Sequence, residues 1–416
     1  MLMQGLFGAC GIMALAWGIG RFHRLDVRKI TILLGVQILL TWIFLKAPGA
    51  SNLLRSFGHG LEGLQQSVAK GTSFVFGYVG GGEPPFVVAS GKGSLFILLF
   101  QALPMVVVMG AISMILFHTG ILPTMIRGIS RVMEKTKMIG GGLATALAGK
   151  IFLGQTDTPL LVRPYLEHFS TNELLTLMTA GMATSASTIF VLFSRALSPI
   201  MDQDSVLVHL ATAAFINIVA SLVIAEFMRP QKGTFTSGAC ENPYVFHSIM
   251  QAIARGATDG WTIMMMIAAM MIASIALVDI ANGMFGYLTH LISGVTLTVQ
   301  QVLGYVFAPF AWCMGISWSE CVSVGSILAE KTVINEWVAI TNLVGGTYGV
   351  LSPRTLSIVL YSLCAFSNLS SIGIVIACMG ALAPSRMAEI VQLAPLSLMA
   401  GLLAGALSSA LVSLMV

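Results

Sequence analysis

Two segments place ionisable and amide side chains inside strongly apolar sequence. "AGKIFLGQTDTPLLVRPYL" (148–166) holds Lys150, Gln155, Thr156, Asp157 and Arg163, and "GSILAEKTVINEWVAITNL" (325–343) holds Asn335 and Glu336 near its middle. A third run, "AFSNLSSIGIVIA" (365–377), adds Asn368, Ser370 and Ser371 beside Phe366. Carboxylates such as Asp157 and Glu336 are expensive in hydrocarbon and read as functional by default. Amides and hydroxyls beside a flat aromatic face suit the binding of a small ligand with one ring face and several hydroxyls. They do not suit bond-making. Neither H-E-x-x-H nor C-x-x-C spacing occurs among the seven His and six Cys, and no D-D-x-x-D run is present. No metal and no cofactor is therefore expected. An intramembrane enzyme is a poor fit, because a nucleophile–base pair is missing. Arg163, followed by Pro164, Glu167 and His168, marks a return to the membrane surface.

The rest of the chain must carry these residues across a bilayer. Of 416 residues, 56% are hydrophobic and only 9% charged, with a mean hydropathy of +0.90. Soluble domains carry about a quarter charged residues. Long unbroken apolar runs exclude a β-barrel, which needs alternation. The expected fold class is an all-α polytopic membrane protein with about eight transmembrane helices, two re-entrant helical hairpins in inverted repeats, and interfacial helices. The spans fall near 2–20, 30–46, 95–118, 172–193, 206–228, 259–282, 357–380 and 390–415. Basic residues collect at Arg21–Lys29, Arg127–Lys137, Arg229–Lys232 and Arg386, all on one side by span parity. The positive-inside rule then puts both termini outside. The net charge of +4 lies in these loops and gives no reason to expect nucleic acid.

Segments 141–167 and 318–345 do not fit as simple spans. Each reads as two short helices meeting at a polar tip, which lipid forbids unless protein or a wet cavity surrounds it. Each is followed by a span interrupted by small polar residues, "GMATSASTIFVLF" (181–193) and "AFSNLSSIGIVIA" (365–377), so that Met182–Ser187 aligns with Phe366–Ser371. A hairpin followed by a broken span, occurring twice from opposite sides, is the pattern of inverted repeats around a midplane site. The expected organisation is 1–118 for N-terminal scaffold spans and an interfacial segment. Residues 119–228 form the first repeat, with an amphipathic basic helix at 119–139, hairpin 1 at 141–167 and the broken span at 172–193. Residues 229–308 form a scaffold span and interfacial helix. Residues 309–416 form the second repeat, with hairpin 2 at 318–345, the broken span at 357–380 and a final span.

A nucleoside has the ring face and hydroxyls that the polar set suits. The same segments resemble those of the concentrative nucleoside transporters. "AGKIFLGQTDTPLLVRPYL" is similar to that family's Gly-Gln-Thr-Glu-Ala-Pro-Leu hairpin, "INEWVAI" to its Asn-Glu-Phe-Val-Ala segment, and "CAFSNLSSIGIV" to its Gly-Phe-Ala-Asn-Phe-Ser-Ser-Ile-Gly segment. "GTSFVFG" (71–77) and "LSPR" (351–354) match further stretches in order. The resemblance implies a homotrimer in the bacterial inner membrane, with a fixed scaffold and an elevator-like transport domain that imports nucleosides by cation symport. It implies that Gln155, Thr156 and Asp157 face the base, that Ile189 and Phe366 pack on it, and that Glu336, Asn368 and Ser371 hold the ribose. A channel or a nucleoside sensor with this fold is the alternative outside secondary transport.

The chain departs from the family at three positions. Asp157 stands where the family has Glu, and Trp337 where it has Phe. Lys150 stands where sodium-coupled members carry an Asn that ligates Na⁺, with Leu153, Thr184 and Ser185 completing the cation-site region. A Lys supplies no ligand oxygen and brings its own positive charge. Proton symport is therefore expected over sodium symport, with Asp157 and Glu336 as candidate proton carriers. The alternative for Lys150 is that it snorkels to the cytoplasmic surface.

Overall fold

The computed structural model describes residues 2–416 apart from 48, 87–95, 136–137, 152–154, 156–157, 186–189, 191–192, 195, 232–234 and 237–244. All regular structure among the described residues is helical. The chain opens with α1 (Leu2–Ile19), α2 (Val27–Lys46) and the amphipathic α3 (Ala50–Phe76), followed by α4 (Pro104–His118) and α5 (Ile121–Lys135). Hairpin 1 contains α6 (Gly141–Lys150) and two single turns, α7 (Thr158–Leu161) and α8 (Arg163–Leu166). Then come α9 (Thr171–Ala183), α10 (Gln203–Met228), α11 (Ile249–Ser293) and α12 (Val299–Cys313). Hairpin 2 is α13 (Trp318–Val333) and α14 (Glu336–Val344), followed by α15 (Pro353–Leu363), α16 (Leu369–Leu382) and α17 (Met387–Val412).

Among the described residues, five helical segments are long and apolar enough to cross a membrane: Val27–Lys46, Leu98–His118, Gln203–Met228, Ile249–Ser293 and Pro384–Val412. Two of the eight expected spans are not continuous helices. Residues 172–193 are helical to Ala183 and then extended at Thr184, and 357–380 is split between α15 and α16 by Cys364–Asn368. The span expected at 259–282 belongs to a helix of 45 residues. At 1.5 Å per residue such a helix is about 68 Å long, more than twice a hydrocarbon core. Hydropathy marks only its apolar middle. Its polar first turns stay helical through the Ser248 cap and the Arg255–Asp259 pair at 2.9 Å, and it ends at Gly294, whose φ of 73° closes the last turn.

The buried centre is built from α10 and α17, and most buried positions of α17 are Gly, Ala or Ser. Small side chains let helices approach closely where lipid offers no hydrophobic contrast. In α17, Gly401 lies against Met182 and Ser367, and Gly405 against Ala365 and Ser362. Both broken spans are thereby clasped onto one helix. The α10 and α17 helices have the same length, 26 residues, and the same spacing to each other as the aligned polar runs at 182–187 and 366–371. A structural repeat thus accompanies the weak sequence one.

The α1 and α2 helices pack on α10 and α17, with Gln37 donating to Ser408 at 3.2 Å and Lys29 paired with Glu226 at 2.6 Å. The α4 helix instead pairs with α11. Their backbones touch through Gly110, Gly256 and Gly260: a Cβ on Gly256 would lie 2.3 Å from the Gly110 carbonyl oxygen. Overpacking of this kind costs about 1–3 kcal/mol. Gly256→Val is therefore expected to lower the apparent melting temperature of the detergent-purified protein. Gly283→Val on the same helix, with nothing within 4 Å, is expected to leave it unchanged.

Candidate functional site

The hairpin 2 tip forms because Asn335 interrupts the helix and restarts it. Its backbone is extended, and its Oδ1 accepts from the Val338 amide at 2.9 Å, the bond of an N-cap. Glu336 is consequently the first residue of α14. The second break does the same with another Asn. Asn368 caps α16, its Oδ1 accepting from the Ser371 amide and hydroxyl, each at 2.9 Å, and from Ser370 Oγ at 2.6 Å. Its Nδ2 is left to donate to Glu336 Oε2 at 3.0 Å. Two helix N-termini, each with a partial positive charge, thus converge on one buried carboxylate.

Lys331 completes this electrostatic pattern. It is fully buried, and its Nζ donates to the Ser362 carbonyl at 2.7 Å, at the C-terminal end of α15 where the helix dipole is negative. Glu336 and Lys331 are close enough to interact electrostatically. The Asn368 bond gives the buried Glu336 carboxyl a partner, as a buried polar group requires.

The two breaks also meet each other. Ser367 Oγ donates to the Met182 carbonyl at 2.9 Å. Asn217 of α10, buried mid-helix, donates from one Nδ2 to the Ala183 carbonyl at 2.9 Å and the Tyr361 carbonyl at 3.1 Å, joining the ends of α9 and α15. Tyr361 shares a further hydrogen bond with His209 Nδ1 at 2.8 Å. From hairpin 1, Gln155 Nε2 approaches Met182 Sδ at 4.0 Å. A path of contacts therefore runs from Gln155 through Met182 and Ser367 to Asn368 and Glu336.

Of the residues expected from sequence, Glu336, Asn368 and Ser371 come together directly. Gln155 joins them through Met182, and Phe366 lies half-buried at the second break. Lys150 is 3% exposed and does not run to the surface. It lines a small cavity with Gln155, Ala180, Gly181 and Val375. Thr184 and Ser185 are buried, and Thr184 Oγ1 donates back to the Ala180 carbonyl at 2.8 Å. Leu153, Thr156, Asp157 and Ile189 lie outside the described residues. Trp337 stacks on Phe193 with ring centroids 6.4 Å apart and meets Phe96 at 5.6 Å.

Sequence reasoning passed over Lys331 and Asn217. The first was signalled by a Lys four residues before the hairpin 2 tip residue Asn335, the second by a lone amide in the middle of an apolar span.

Comparison with known proteins agrees with this geometry. The Na⁺ dependent nucleoside transporter N-terminus family matches residues 7–79, a Nucleoside recognition (Gate) family matches 99–199, and the Na⁺ dependent nucleoside transporter C-terminus family matches 209–413. An uncharacterized transporter of Bacillus subtilis, YutK, is 30% identical over the full length of both chains. The chain belongs to the concentrative nucleoside transporter family. It is a multi-pass membrane transporter and not an enzyme. Nucleoside permease NupC of Helicobacter pylori is 26% identical over 100% of this chain and 99% of its own. The transporter CNTnw, solved in an inward-facing substrate-bound state, superposes with a TM-score of 0.86 at 26% identity, covering 100% of this chain and 98% of that one. A doubly substituted CNTnw in an outward-facing state superposes at 0.85 and 25% identity, covering 99% and 97%. Family members thus sample alternating-access states.

The Asn217 bridge has a direct test. Leaving a buried acceptor without its donor costs about 1–3 kcal/mol. Asn217→Leu, which strips the donor from two carbonyls, is expected to lower the apparent melting temperature more than Gly256→Val does, measured by thermal unfolding in detergent.

Proposed function

We propose that this protein imports nucleosides across the bacterial inner membrane by proton symport, holding the ribose through Glu336, Asn368 and Ser371. The supporting observation is the buried Glu336–Asn368 pair, with two helix N-termini directed at it. A carboxylate that already accepts one amide bond has acceptor capacity left for ribose hydroxyls, while the capped N-termini fix its position. Gln155, Thr156 and Asp157 face the base, and Ile189 and Phe366 pack on it. Asp157 is one methylene shorter than Glu, which suits a water-bridged contact.

The packing favours a moving body larger than the two repeats. The α1 and α2 helices lie on α10 and α17, which favours their travelling with the hairpins instead of belonging to the scaffold expected over residues 1–118. The scaffold is α4 with α11, and its exposed outer face, including Ile272, Leu277 and Leu288, is the surface for a homotrimer. Both termini face outward, as the basic loops require.

The buried Lys150 supports proton over sodium coupling. An ammonium at the family's Asn position puts a tethered positive charge where a cation would bind and repels Na⁺. Uptake of labelled uridine with sodium replaced by choline is expected to persist and to rise at the lower of two external pH values. A strict sodium requirement overturns this coupling.

The ribose assignment is tested by competition. Nucleosides are expected to displace labelled uridine and free bases to fail. A hydrogen bond to a charged group contributes about 1.5–3 kcal/mol. Glu336→Gln is therefore expected to raise the KM for uridine about 10- to 100-fold, and normal transport by this variant overturns the assignment.

A further inference from the structure

Hairpin 2 carries a second buried carboxyl that the substrate site does not use. Glu330, one residue before Lys331, is 9% exposed. Its Oε1 accepts from Asn342 Nδ2 at 2.8 Å, a bond between the two arms of the hairpin. Its Oε2 is buried and has no hydrogen-bond partner among the described residues. No ion pair to Glu330 forms among them either.

The charged and titratable groups on the surrounding elements are engaged elsewhere. On α13 itself, Lys331 is spent on the Ser362 carbonyl and Glu336, and Glu320 accepts from Ser352 and from Thr355 at 2.6 Å. Cys321 donates to the Ser317 carbonyl at the far end of the helix. On α15, Arg354 binds the Gly315 and Ser413 carbonyls, and Tyr361 binds His209. On α12, Tyr305 is exposed and Cys313 lies at the helix end against Gly8. Cys364, at the second break, neighbours Lys331 rather than Glu330.

We infer that Glu330 is the proton-carrying carboxyl of the transport cycle, in place of Glu336. This rests on the proton-symport reading above. Glu336 already accepts from Asn368 Nδ2 and is committed to the ribose hydroxyls. Glu330 has one neutral amide donor, which serves the acid and the carboxylate alike, and an oxygen with nothing to hold a charge. In the outward-facing state a proton from water joins Oε2 and gives the neutral acid. In the inward-facing state the acid returns the proton to water. Glu330 and Glu336 flank the same tip, six residues apart, so proton and nucleoside load one hairpin together.

Glu330→Gln separates this from a structural role, because the Gln carbonyl still accepts from Asn342 while titration is lost. In proteoliposomes with an inside-alkaline pH gradient and no sodium, the wild-type protein is expected to accumulate labelled uridine. Glu330→Gln is expected to lose about tenfold of that accumulation while retaining uridine counterflow without a gradient, and Glu330→Asp is expected to recover part of it. A Glu330→Gln protein that still accumulates uridine in response to the gradient overturns the inference and leaves proton coupling standing. Loss of counterflow together with accumulation assigns Glu330 a structural role and also overturns it. A wild-type protein indifferent to the gradient overturns the coupling itself, and the inference with it.

Discussion

A helix that stops inside a membrane exposes carbonyls and amides that no water can satisfy, and the whole arrangement follows from how those groups are partnered. Four helix ends meet near the centre of this protein. Asn217 and Ser367 satisfy the carbonyls at the ends of α9 and α15, and Lys331 takes the Ser362 carbonyl. Asn335 and Asn368 satisfy the amides at the starts of α14 and α16. The carbonyl side is closed by buried groups on neighbouring elements. The amide side is capped so that Glu336 and Asn368 face each other. The polarity of the breaks therefore decides which side can receive a ligand.

The charges obey the same logic. A buried ammonium sits at a negative helix end and a buried carboxylate between two positive ones, so dipole and side chain agree at each point. Lys331 and Glu336 belong to one hairpin, and each is held by a hydrogen bond from a neighbouring element, the first to the Ser362 carbonyl and the second from Asn368. Hairpin 1 also buries a lysine, Lys150, close to the last turn of α9. Each hairpin thus buries one lysine near the first half of a broken span.

The two repeats match in architecture and differ in chemistry. Asn217 and Gly401 occupy the same position in α10 and α17. One bridges two helix ends with its amide, while the other has no side chain and lets Met182 and Ser367 approach. A symmetric pair of asparagines would crowd the crossing, and a symmetric pair of glycines would leave the Ala183 and Tyr361 carbonyls without donors. The α4–α11 pair follows a separate plan. It is zipped by backbone contact at three glycines and touches the site-bearing body at the α16 face, where Met270 lies against Gly373.

Much of this was legible from residue order alone. Apolar run length gave the membrane class, and the polar residues at Asn335–Glu336 marked the hairpin 2 tip, because nothing but function or a buried tip explains such residues in hydrocarbon; Thr156 and Asp157 of hairpin 1 lie outside the described residues. The meeting of Glu336, Asn368 and Ser371 was anticipated from their types and from the family resemblance. What remained hidden depended on direction and depth. Hydropathy reports cost and not orientation, so it could not say that Lys331 turns toward Ser362, that Glu330 turns toward Asn342, or that Asn217 lies where α9 and α15 end. Nor could it set the length of α11, since helical structure continues past the apolar stretch that the membrane requires. The sequence determined which residues needed partners. Tertiary packing decided which partners they found, because helix ends from distant parts of the chain become neighbours only when the two repeats are folded against each other.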